Sequence, residues 1–135
     1  MLLGRRRCHL EIQIDVVASE SGGCAFPQIS NLQGLILENP MATFVLPSRN
    51  AEAWAISAIK YRRLDARIAA CCLPELDLPC NISGVPSSAA SALTDRSWIK
   101  RLARAFVHEH TRARAFLRHA ELALGVRWFE FELES

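Results

Sequence analysis

Along Asp95–Gly125 the apolar positions Ile99, Leu102, Ala103, Phe106, Ala113, Leu117, Ala120 and Leu124 recur at three- and four-residue steps. That spacing places them on one stripe of a long helix. Thr94 and Asp95 suit an N-cap and Gly125 suits a stop. Upstream, Glu52–Cys72 carries a second helical stripe of Trp54, Ala58, Tyr61, Leu64 and Ile68, ending before Pro74. Elsewhere the period shortens to two. Leu10, Ile12, Ile14 and Val16 alternate with Glu11, Gln13 and Asp15, which predicts a half-buried strand. Ser19–Gly23 is a turn cluster, and Cys24–Ile29 reads as a short returning strand with Pro27 at an edge. Leu32–Glu38 and Ala42–Leu46 read as two more strands around an Asn39-Pro40 turn. Val126–Glu134 alternates Phe129, Phe131 and Leu133 with Glu130, Glu132 and Glu134, which predicts a last strand with its phenylalanines inward.

These elements assemble into an expected α+β fold. It is a single small domain, an antiparallel β-meander with two helices and a C-terminal strand. Residues 1–72 hold the meander and first helix, 73–93 a Pro/Ser-rich connector, and 94–135 the second helix and final strand. Trp54, Phe44, Phe106, Ile14 and Leu117 are expected core members. At 135 residues and 50% hydrophobic content the chain suits one globular domain rather than a disordered one.

The formal net charge is only +2, so a charged surface must be local. The second helix supplies one. Between Asp95 and Gly125 seven Lys/Arg oppose three acids, a local excess of four. Arg101, Arg104, His108, Arg112 and His119 fall almost opposite the apolar stripe, and Lys100, Arg114 and Arg118 flank it. These eight residues form the candidate binding face. Guanidinium groups in such an arrangement suit phosphates or an acidic partner. Aromatic residues do not interleave with them, so base stacking is not indicated.

Other chemistry is thinly represented. His108 and His110 lie two apart, whereas a zinc-binding helix places its histidines four apart. Cys8, Cys24, Cys71, Cys72 and Cys80 form no CxxC pair, and their number is odd. Free thiols and no metal or other cofactor are therefore expected, with Cys72 or Cys80 the candidates for an exposed thiol. Phosphate-loop, dinucleotide, nucleophile-elbow and zincin motifs are missing, so the chain reads as non-enzymatic. Met1–Leu10 lacks a long apolar stretch and a cleavage-site pattern, and no run reaches the roughly 20 residues that span a bilayer. A cytoplasmic setting without membrane association is expected.

One segment also carries a family likeness. Thr43-Phe44-Val45-Leu46-Pro47-Ser48-Arg49 resembles the Phe-Val-x-x-Pro-Ser-Lys/Arg strand end of SpoVG-like septation regulators, with a helix following. The likeness covers Phe26–Cys72, about a third of the chain, and one residue is missing between Val45 and Pro47. It implies a β-meander followed by a helix, and a nucleic-acid-binding regulator. The residues alone suggest first a small interaction protein whose basic helix docks an acidic protein partner or helps homo-oligomeric assembly. A nucleic-acid-binding regulator using the same arginines is the alternative, and an enzyme with an unrecognised site is a third reading.

Overall fold

The computed structural model describes residues 31–80 and 82–133. The expected strands at Leu10–Val16 and Cys24–Ile29, and the expected core residue Ile14, lie outside these residues. In chain order the described elements are α1 (Leu32–Glu38), β1 (Thr43–Ser48), α2 (Ala51–Lys60), α3 (Leu64–Ala70), a 3-10 turn (Ile82–Gly84), α4 (Ala89–Thr94), α5 (Arg96–Leu124) and β2 (Arg127–Glu132). The α+β character holds, but the antiparallel meander does not. Among the described residues the sheet consists of β1 and β2 alone, and they run parallel. Parallel strands cannot be joined by a hairpin, so the chain between them makes a helical crossover. At one end of the pair the Leu133 N–H donates to the Ser48 carbonyl at 2.6 Å.

The segment Leu32–Glu38, expected as a strand, is helical. Leu32, Leu35 and Ile36 satisfy helical spacing as well as strand composition, and Leu32 and Ile36 are buried. Asn39 closes the helix. Its side-chain amide donates to the Leu35 carbonyl at 2.9 Å, and its backbone N–H reaches the same carbonyl at 3.1 Å.

The single helix expected over Glu52–Cys72 is two helices. Arg62 (φ 51°) and Arg63 (φ 54°) adopt left-handed backbone between α2 and α3. Such conformations cost roughly 1–2 kcal/mol for a residue with a Cβ, and the arginines here are tied down. Arg63 makes two hydrogen bonds to the Asp65 carboxylate, at 2.9 and 3.0 Å, and a third to the Pro86 carbonyl at 2.9 Å. Arg67 donates to the carbonyls of Arg62 and Tyr61, which the end of α2 leaves without helical partners. Tyr61, placed by the sequence on the buried stripe, is 54% exposed in this break.

The contacts divide the chain into two compact units. One comprises Met1–Leu46 with Ala113–Glu130, the other Pro47–Arg112 with Phe131–Ser135. The core of the second unit is Ala55, Ile59, Ala69, Ala92, Trp98, Ile99 and Leu102, with Trp54 and Leu78 packed against it. Trp54 also stacks on Phe106, ring centroids 4.8 Å apart. In the first unit Leu32, Ile36, Leu117, Ala120 and Val126 are buried together, with Phe44, Phe116 and Trp128 against them.

β2 forms where alternation predicts it, with the opposite face covered. Phe129, Phe131 and Leu133 are exposed. Trp128 and Glu130 are half-buried. The parity follows from Val126, which is 1% exposed and shares its face with Trp128. Glu130 on that face meets Arg114 through two hydrogen bonds of 2.9 and 2.8 Å.

α5 has defined ends. Asp95 Oδ1 accepts from the Trp98 N–H at 3.1 Å and the Ser97 hydroxyl at 2.8 Å. Gly125, at φ 69°, stops the helix in left-handed backbone, with its N–H on the Glu121 carbonyl. The Trp98 N–H, followed by the Ser97 hydroxyl, holds the Asp95 carboxyl below the ordinary carboxylate range. A group depressed on folding stabilises the fold above its unfolded pKa, about 3.9, and loses that contribution as pH falls through its folded value. Asp95→Ala is therefore expected to lower the melting temperature at neutral pH and to change it little in strong acid. Melting curves at the two pH values test this, and equal losses at both would contradict it.

The expected free thiols are corrected at Cys71, Cys72 and Cys80, all three of which are disulfide-bonded. Cys72 and Cys80 are disulfide-bonded, with Cα atoms 4.9 Å apart. The connector is also more structured than its composition suggests. It holds the 3-10 turn, and α4 opens with a reciprocal Ser88–Ser91 capping box.

Candidate functional site

The outer side of α5 holds the candidate surface, and the structure sorts its eight expected residues into two groups. Arg101, Arg112 and Arg114 are engaged. Arg101 Nε donates to the Asp77 carbonyl at 3.1 Å, and its Nη2 lies 3.5 Å from the Asp77 carboxylate. Arg112 Nε donates to Glu109 Oε2 at 3.1 Å within a two-pronged pair. The hydrogen bonds that Arg112 donates to Glu109 raise the Arg112 pKa, helped by the charges of Glu109 and Glu75. Arg114 is raised in the same way by its bonds to Glu130. These three guanidiniums face carboxylates and serve the fold.

Lys100, Arg104, His108, Arg118 and His119 are exposed. Among the described residues they make no ion pair. Lys100, Arg104 and His108 belong to the unit built on Pro47–Arg112, and Arg118 and His119 to the other. The first three follow one another at four-residue steps, so they rise along one side of the helix.

Beside that row runs an open groove of about 550 Å³, lined by Ala103, Arg104, Val107, His108 and Thr111. Ala103, Val107 and Thr111 are themselves four residues apart and present methyl groups. Val107 is 52% exposed. The sequence reading missed this floor because it assigned Ala103 to the buried stripe and gave Val107 no place. The available signal was a second, narrower row at 103, 107 and 111, displaced from the Ile99–Leu117 stripe. Chemically the surface combines a shallow apolar strip with a cationic edge. It offers no carboxylate or thiol for proton transfer or nucleophilic attack.

Among the described residues no helix is long and apolar enough to cross a membrane. The chain matches no family model, no curated protein and no solved structure.

Proposed function

We propose that this protein is a non-enzymatic interaction module that docks an acidic, amphipathic segment of a protein partner on the Lys100–Thr111 face of α5. The observation that carries this reading is the apolar groove of Ala103, Val107 and Thr111 beside Lys100, Arg104 and His108. A phosphodiester backbone has use for the cations but none for the methyl groups. An amphipathic segment with acidic flanks uses both, burying its apolar side in the groove and pairing its carboxylates with the rim. Exposed ion pairs add little affinity singly and weaken with salt, so the apolar floor supplies the salt-resistant part of binding.

Anisotropy titrations with a labelled acidic amphipathic peptide, and with single- and double-stranded oligonucleotides, test this reading at low and near-physiological salt. The peptide is expected to bind at both salt concentrations. Val107→Ala and Arg104→Ala are each expected to weaken it several-fold, since truncating an interface anchor costs on the order of 1–2 kcal/mol. Melting should hardly change, because both side chains are exposed. The nucleic-acid function implied by the septation-regulator likeness is the competing outcome. Oligonucleotide binding that ignores Val107→Ala, and whose salt slope falls by about one unit with Arg104→Ala, would replace the protein-partner reading.

A further inference from the structure

The segment 73–79 is docked on α5 and closed by a covalent bond at its base. Cys72 follows the end of α3 in left-handed backbone (φ 51°), and Cys80 lies just before the 3-10 turn. Both cysteines are exposed. Between them Leu78 packs against the core that contains Trp98, Ile99 and Leu102. The Asp77 carbonyl accepts from Arg101 of α5 at 3.1 Å, and the Asp77 carboxylate lies 3.5 Å from the same guanidinium. The loop thus reaches α5 directly through Asp77, and through Leu78 it reaches the core that α5 shares with Ala55, Ile59 and Ala69. Internal hydrogen bonds within the loop are few, Leu76 N–H to Leu73 O and Leu78 N–H to Leu76 O. Pro74 and Pro79 donate none. The docked state of this segment therefore leans on its covalent closure.

We propose that Cys72 and Cys80 form a reversible dithiol–disulfide site, reduced by exchange with a dithiol reductant, whose state decides whether 73–79 stays docked on α5. In the exchange a reductant thiolate attacks one exposed sulfur. A mixed disulfide forms as the Cys72–Cys80 bond breaks, and the departing cysteine leaves as thiolate and takes a proton from water. The second reductant thiolate then attacks its own sulfur in the mixed disulfide and releases the other cysteine. Two electrons pass to the protein, two protons are taken up, and the reductant leaves as its own disulfide. The access that this attack requires is present because both sulfurs belong to exposed residues, unlike a bond buried in a core. Opening the bond removes the constraint on a nine-residue loop, so undocking becomes more frequent, on the order of tenfold to a hundredfold by the loop-closure relation. The undocked segment releases Arg101 from Asp77.

Two readouts on the full chain test it: differential alkylation with peptide mapping across a series of dithiol redox buffers, and amide hydrogen exchange of residues 73–79 at each end of the series. Cys72 and Cys80 are expected to become alkylated together, in one reversible transition, while the protein stays folded. Exchange at Leu76 and Leu78 is expected to speed up at least tenfold on reduction. Cys72→Ser with Cys80→Ser should show the fast exchange without reductant, and Cys72→Ala with Cys80→Ala repeats the measurement should the serine pair fold poorly. Three results would each overturn the proposal. These are alkylation of both cysteines in the oxidised protein, reduction only after global unfolding, and unchanged exchange at 73–79 in the reduced protein.

Discussion

Asp65→Ala is expected to destabilise the protein by about 3–5 kcal/mol, the cost typical of removing one partner from a buried ion pair. Asp65 is fully buried. Its Oδ1 accepts from Arg63 Nε at 2.9 Å, and its Oδ2 from Arg63 Nη2 at 3.0 Å and Trp98 Nε1 at 2.9 Å. One carboxylate therefore joins the first turn of α3 to the first turn of α5, and through Arg63 to the carbonyl of Pro86. Alanine would leave a guanidinium whose side chain is only 21% exposed, and an indole N–H, without their acceptor. It would also release the left-handed backbone at Arg63 that the ion pair holds. Trp98→Phe removes a single hydrogen bond and is expected to cost less, about 1–3 kcal/mol. Because the two residues share one carboxylate, the double variant should lose less than the sum of the single ones. Urea unfolding with an unchanged m-value measures all three. A loss below about 1 kcal/mol for Asp65→Ala would show that the carboxylate does not hold this junction.

The importance of Asp65 was not legible from the chain. In the sequence it is one polar residue within an apparently continuous helical stripe. Its acceptor role depends on Trp98, 33 positions away, and on a break at Tyr61–Arg63 that contains neither glycine nor proline. The break exists because tertiary hydrogen bonds outweigh the local preference for continuing the helix, and periodicity carries no trace of such bonds. The same limit applies to Leu32–Glu38. Seven residues are too few for the apolar spacing to separate a strand from a short helix, and the packing of Leu32 and Ile36 with Leu117 and Ala120 decides the matter.

Elements whose signal is long or chemically specific were readable. The periodicity of α5 extends over eight turns, with an aspartate at its start and a glycine past its end, and the structure places Arg96–Leu124 between them. β1 and β2 were found at nearly their true positions, but their partners and direction were not, since strand direction depends on the crossover between them. In β2 the phenylalanines suggested the wrong covered face, because Trp128 and the Glu130–Arg114 pair claim the other one. The candidate surface divides in the same manner. That α5 carries an outer cationic side is written in its spacing. Which cations stay exposed is not, because Arg101 meets Asp77 and Arg114 meets Glu130 only after folding. The groove floor at Ala103, Val107 and Thr111 was present in the sequence as a four-residue row, but only the packing shows that none of the described residues covers it.

Leu102→Ala is the second large effect, expected at about 2–5 kcal/mol. Leu102 is 1% exposed and packs with Ile59, Trp98 and Ile99 at the centre of its core. Truncation removes its apolar contacts and leaves a cavity that neighbouring alanines, Ala55, Ala69 and Ala92, are too short to fill. Ile59→Val in the same cluster deletes one methylene and should cost about 0.5–1.5 kcal/mol, which fixes the scale for this core. Leu102 and Arg104 lie on opposite sides of α5, one in the core and one in solvent. Loss of stability and loss of docking should therefore separate. At a temperature where Leu102→Ala remains folded, it should bind the acidic amphipathic peptide with the affinity of the unaltered protein, whereas Arg104→Ala should melt normally and bind weakly. Denaturant unfolding and the anisotropy titration together measure this crossing. If Leu102→Ala unfolded at nearly the wild-type denaturant concentration, the core described around Trp98 would be wrong. If it stayed folded yet lost peptide binding, the groove would depend on the core behind it and docking would not be a property of the α5 surface alone.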